Sequence, residues 1–140
     1  MADNAVQLEL VSPEKLLFSE EVEMVVVPGA EGDFGVLPGH TPVISTVRPG
    51  VIYIFKGGSV KTRIFVAGGF AEVTAERCTV LSEEAVPLDD IDREQVEKDL
   101  QIANGDIADA GDNTTERALA EQRAVSARAK LASLDSQTYQ

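Results

Sequence analysis

All six prolines of this 140-residue chain lie at or before Pro87, and nine of its eleven glycines lie at or before Gly69. Residues 85–140, by contrast, hold ten alanines and only Gly105 and Gly111 as breakers. Proline removes a backbone donor, and glycine weakens a helix by about 1 kcal/mol relative to alanine. Long helices are therefore disfavoured in the first part and favoured in the second. The split predicts an antiparallel β-sandwich over residues 1–86 and a two-helix hairpin over 87–140. With 44% hydrophobic residues the chain can build a core, which excludes a disordered chain.

Period-two alternation marks the strands. Val6-Gln7-Leu8-Glu9-Leu10 alternates as a half-buried strand should, and Val22 through Val27 follows, closed by Pro28-Gly29. Val51–Phe55 and Val60–Val66 flank Gly57-Gly58 as a hairpin. Gly68-Gly69 is expected to break the next strand off at Phe70–Thr74, and Cys78–Leu81 completes the series. Turn signals at this spacing mean a sandwich or barrel.

Asp90 is the expected N-cap of a first helix from Ile91 to about Ala103, with Asp92 and Glu94 at its positive end. Gly105 through Asp112 should form the turn, and Asn113-x-x-Glu116 fits a capping box for a second helix to about Leu134. Ala120, Ala124, Ala127, Leu131 and Leu134 draw a narrow seam on it. Two helices alone bury little surface, so this pair must lean on the sandwich or on a partner.

Composition narrows the function. A formal net charge of -12 repels phosphate backbones, which counts against nucleic acid and anionic membrane as direct partners. One cysteine excludes an internal disulfide, and with one histidine it makes a Cys/His zinc site untenable. No apolar run nears the roughly 20 residues that span a bilayer, and MADNAVQLEL has no secretory pattern; a cytosolic type of protein is expected.

Catalytic equipment is nearly absent. His40 has no neighbouring nucleophile, and Cys78 alternates with Val80 as a core thiol would. Gly29-x-x-Gly32-x-x-Gly35 lacks the Lys-Ser/Thr of a phosphate loop, and the acidic clusters lack calcium-loop spacing. No catalytic residue, cofactor or metal is expected. The block from Pro28 to Pro42 is read as a loop path rather than a strand. It carries Glu31 and Asp33 with no base nearby to neutralise them, and so reads as a docking surface.

These residues resemble the epsilon subunit family of bacterial F-type ATP synthase, whose mitochondrial counterpart is the delta subunit. The resemblance rests on Pro28-Gly29-x-Glu31-Gly32-Asp33-x-Gly35-x-Leu37-Pro38-Gly39-His40-x-Pro42, Pro49-Gly50, and Gly68-Gly69-Phe70-x-Glu72-Val73. It implies a non-catalytic central-stalk rotor subunit of a proton-translocating synthase, peripheral on the cytoplasmic face of the bacterial inner membrane. Its sandwich would bind the gamma subunit and the ring of c subunits, with Glu31, Gly32 and Asp33 as the contact and His40 nearby. The helices could inhibit hydrolysis through contacts of Arg117, Arg123 and Arg128 with alpha and beta subunits; solvated helix-face charges are an equal reading of those arginines. The family's ATP signature, hydrophobic-Asp-x-x-Arg-Ala, begins here as Ile91-Asp92 but continues as Gln95-Val96. That predicts no ATP binding. A stand-alone β-sandwich module for a small ligand is the alternative, disfavoured because no tryptophan exists to line a cleft.

Overall fold

The structure, a computed structural model, describes residues 5–136 and 139. Residues 1–4 of the N-terminal stretch and residues 137, 138 and 140 of the helical unit lie outside the described residues. In chain order the strands are β1 (Val6–Val11), β2 (Leu16–Val22), β3 (Met24–Gly29), β4 (Gly32–Val36), β5 (Val43–Lys56), β6 (Ser59–Val73), β7 (Arg77–Leu81) and β8 (Ala85–Pro87). Helices α1 (Arg93–Asp109) and α2 (Thr114–Asp135) follow. The expected plan of a β-sandwich followed by two helices is present.

The strands pair in the order β2-β1-β7-β6-β5-β3-β4, with β8 also on β6. All pairs are antiparallel except β1–β7, which is parallel. Two long strands, β5 and β6, turn this one sheet into two layers. Their register holds from Val43↔Val73 to Ile54↔Thr62, and the ladder skips only the level of Arg48 and Gly68. Yet the residues they give to the core change phase: Ile64 and Val66 on β6 before the corner, Ala71 and Val73 after it. β5 does the same, from Val47 to Ile52 and Ile54. The switch falls at Gly68-Gly69, which therefore bend the strand instead of ending it as the sequence suggested. Both take a left-handed φ, +100° and +135°. A Cβ on Gly69 would fall 1.9 Å from the Leu81 carbonyl oxygen, so only glycine fits against β7.

Between the layers lies one apolar core drawn from β1 and β3 to β7, with Val22 at the end of β2. Cys78 is wholly buried in it, and burial pushes its thiol from 9.0 up to about 12. The outer face of β3 and β5 holds a second cluster, Val26, Val51, Tyr53 and Leu88, against which Leu134 and Tyr139 pack. This is where the helices lean.

The helix ends differ from expectation. Leu88 is buried, and the chain makes a 3₁₀ turn over Leu88–Asp90 before reaching the helix. The N-cap is consequently Asp92, not Asp90: its carboxylate accepts from Glu94 N at 3.1 Å and Gln95 N at 3.4 Å. α1 also runs through Gly105 to Asp109, because Ala103, fully buried, keeps it packed on α2 past the weak residue. Gly111, at φ +55°, makes the turn. Asn113 caps α2 as expected, accepting from Glu116 N at 3.0 Å. The seam is buried at Ala120, Ala124 and Ala127, where methyl side chains let the helices approach closely.

Gly69→Ala should cost about 3 kcal/mol, combining a strained φ with displacement of β7. Urea denaturation measures it, and a loss below about 0.5 kcal/mol would contradict the assigned corner.

Candidate functional site

The Pro28–Pro42 block is more regular than its composition suggests. β3 and β4 form a hairpin in which Gly29 pairs with Gly32, leaving Ala30 and Glu31 as a two-residue turn. A Cβ on Gly29 would meet the Gly32 carbonyl oxygen at 2.7 Å and the Phe34 ring at 3.0 Å. Gly32 takes φ +138°. These two glycines close the turn tightly, correcting the loop expected there.

The turn is braced from β5. Ala30 N donates to the Thr46 carbonyl at 2.9 Å, and the Arg48 guanidinium donates to the Gly29 carbonyl at 2.6 Å and to Asp33 Oδ1 at 2.5 Å. Asp33 is therefore not an unneutralised acid. Arg48 lies 15 residues away in sequence, and the β5 corner brings it back. On its other oxygen, Oδ2, Asp33 accepts from the Tyr139 hydroxyl at 3.1 Å. Partial burial, this hydrogen bond and the carboxylate's charge all raise the Tyr139 pKa, so the phenol stays protonated and donating. Glu31 is exposed at the tip, and among the described residues it makes no ion pair. It is the free carboxylate of the turn.

His40 is not beside this acidic tip. It sits in the loop after β4, whose Gly39 N donates to the Ala75 carbonyl at 2.8 Å in the β6–β7 turn. The length of β4, about 14 Å at strand spacing, separates the two places. Its Nδ1 lies 2.6 Å from the Thr41 carbonyl oxygen.

The helix arginines mainly hold the hairpin together. Arg123 pairs with Asp106 of α1 at 2.8 Å, Arg128 donates to Asn104 at 3.3 Å, and Arg117 donates to the Gly111 carbonyl at 2.8 Å. Lys130, which the sequence did not single out, ties α2 to the sandwich. It pairs with Glu84 at 2.9 Å and lies 5.6 Å from the Phe65 ring centroid.

A cleft of about 700 Å³ separates α1 and α2 from the β6–β7 face, lined by Phe70, Leu81, Val96, Asp99, Arg123 and Lys130 among others. At the two signature positions of α1, Val96 is buried and Gln95 is exposed, donating to Asp99 at 3.0 Å. Among the described residues, no three His, Cys, Asp or Glu side chains gather as a metal site, and no helix is long and apolar enough to cross a membrane.

Comparison with known proteins places this arrangement. Residues 5–88 match the family described as "ATP synthase, Delta/Epsilon chain, beta-sandwich domain". The chain is 56% identical over 119 residues to the ATP synthase epsilon chain of Rhodospirillum rubrum, covering 85% of this chain and 89% of the relative. It is 55% identical over 142 residues to that of Rhodospirillum centenum, covering 98% and 96%. Among solved structures it is similar, with a TM-score of 0.78 and 27% identity, to a chain of the Euglena gracilis mitochondrial ATP synthase, in an OSCP/F1/c-ring assembly. That match covers 94% of this chain and 82% of the other.

The purified chain should show no saturable ATP binding below millimolar concentration in calorimetry with magnesium. A neutral Gln95 lacks the guanidinium's charge-assisted bonds, whose loss costs about 1.5–3 kcal/mol. Saturable sub-millimolar binding would contradict this.

Proposed function

The chain belongs to the ATP synthase delta/epsilon family, and on that premise we propose that it is a non-catalytic coupling piece whose acidic β3–β4 turn docks on the ring of c subunits. It is a central-stalk subunit, with gamma and the c-ring as its partners, and so part of a membrane-associated complex. The finer placement, on the cytoplasmic face of the bacterial inner membrane, is our proposal. So is the division into a docking unit, residues 1–86, and a regulatory unit, 87–140.

The observation that carries the docking reading is the rigidity of the turn combined with a free charge at its tip. Gly29, Gly32 and Arg48 fix the backbone, while Glu31 projects without an ion pair among the described residues. A fixed carboxylate gives register to a basic partner surface, because charge complementarity steers association and penalises wrong alignments. Asp33, already paired with Arg48, serves to position the turn and leaves the leading contact to Glu31. His40, at the far end of β4, belongs in this reading to the gamma contact. Exposed Leu37, whose carbonyl accepts from His40 N at 3.1 Å, and exposed Val43 support it, because apolar side chains left in water beside His40 suit a protein partner.

Torque transmission needs a stiff body, and the single core spanning both layers supplies one. Nothing in the docking turn makes or breaks a bond to phosphorus. The helical hairpin, held to the sandwich by one small apolar cluster, the Lys130 contacts and the hydrogen bonds of Tyr139, is suited to release. Arg117, Arg123 and Arg128 would then be free to meet acidic surfaces of alpha and beta subunits.

Glu31→Lys should weaken attachment to the ring by about 2 kcal/mol, roughly thirtyfold, and uncouple proton flow from ATP synthesis in membrane vesicles. Normal assembly with normal coupling would overturn the docking reading. Deleting residues 91–140 should raise ATP hydrolysis by the complex; an unchanged rate would leave the hairpin as a passive brace.

A further inference from the structure

The acidic turn is tied to the other end of the chain. Tyr139 stands 106 residues from Asp33 and four beyond the end of α2, yet its hydroxyl donates to Asp33 Oδ2 at 3.1 Å. Its ring sits edge-on to Tyr53, 4.8 Å between centroids, and 6.4 Å from Phe55. Its carbonyl accepts from Arg63 at 3.1 Å. Four residues, Asp33, Tyr53, Phe55 and Arg63, thus hold this one residue beyond the last helix. Leu134, in the last turn of α2, joins the same apolar cluster. The tyrosine therefore anchors the end of the helical hairpin as well as itself.

We propose, resting on the docking role given to the turn, that Tyr139 is a latch that fastens the folded hairpin to Asp33 and so couples the docking turn to hairpin release. Asp33 has two carboxylate oxygens, one engaged by Arg48 and the other by Tyr139. A basic group of the ring that draws on Asp33 competes with the phenol and loosens α2. Conversely, a released hairpin returns an acceptor oxygen to the docking surface. Linkage requires the two effects to be equal in free energy. For one partly exposed hydrogen bond the coupling lies at the low end of the usual range, about fivefold.

Hydrogen exchange on the full-length chain tests the latch. Tyr139→Phe keeps the ring and removes only the hydroxyl, so amides of residues 131–135 should exchange about fivefold faster while β1, β6 and β7 keep their protection. Asp33→Ala, which removes the acceptor from β4, should speed the same amides. The double variant should be no faster than either single one, because both remove one interaction. Unchanged exchange in Tyr139→Phe, or additive effects in the double variant, would overturn the proposal. Glu31→Lys should leave these amides unmoved in the free chain. Its effect on ring attachment tests the docking reading alone, so the two failures are distinguishable.

Discussion

Everything in this molecule hangs on the corner in the β5–β6 hairpin. Two paired strands change the face they turn inward at the same level, without losing register. Two glycines in left-handed conformations make the bend, one of them pressed against the β7 backbone. The bend closes the sheet over its own core. It also delivers Arg48 to the β3–β4 turn and leaves Val51 and Tyr53 facing outward as the bed for the helices. A sheet without that phase switch would bury neither set. The β3–β4 turn, the core and the hairpin seat share one origin.

The energetics divide the molecule unequally. The sandwich has a continuous apolar core in which Val6, Leu8, Leu10, Val25, Val27 and Val66 are almost fully removed from water. Burying each such side chain contributes on the order of 1.5–3 kcal/mol. The hairpin buries chiefly alanines, and its cross-helix contacts are exposed pairs such as Arg123–Asp106 and Arg93–Asp135, each worth about 0–1 kcal/mol. The hairpin is the part that can move while the sandwich stays folded. The regulatory role proposed for the hairpin needs that inequality.

Much of this was legible in the sequence where a single local pattern decides. The alternation in β1, the burial of Cys78, the Asn113 cap and the alanine seam depend on near neighbours. Features that depend on distant partners were not. β2 was overlooked because Leu16-Leu17-Phe18-Ser19-Glu20-Glu21 does not alternate cleanly, and pairing with β1 organises it. Gly68-Gly69 reads as a break until β5 and β7 are alongside. Asp33 seems unpaired until Arg48 and Tyr139 are folded onto it, and Asp90 loses the cap once Leu88 turns inward. His40 lies close to Glu31 in sequence and a strand's length away in space, because β4 runs between them.

The central claim is that the Ala30–Glu31 tip touches the c-ring. The most direct measurement is disulfide trapping in membrane vesicles carrying a Glu31→Cys variant and single cysteines introduced into the polar loops of the c subunit. Native Cys78 does not interfere, since it is buried and its thiol is held protonated. A Glu97→Cys variant on the exposed face of α1 serves as control. The account predicts rapid cross-linking of the Glu31→Cys chain to c subunits, with loss of coupling that reductant reverses, and no such product from the control. Trapping from Glu31→Cys no faster than from the control would contradict it.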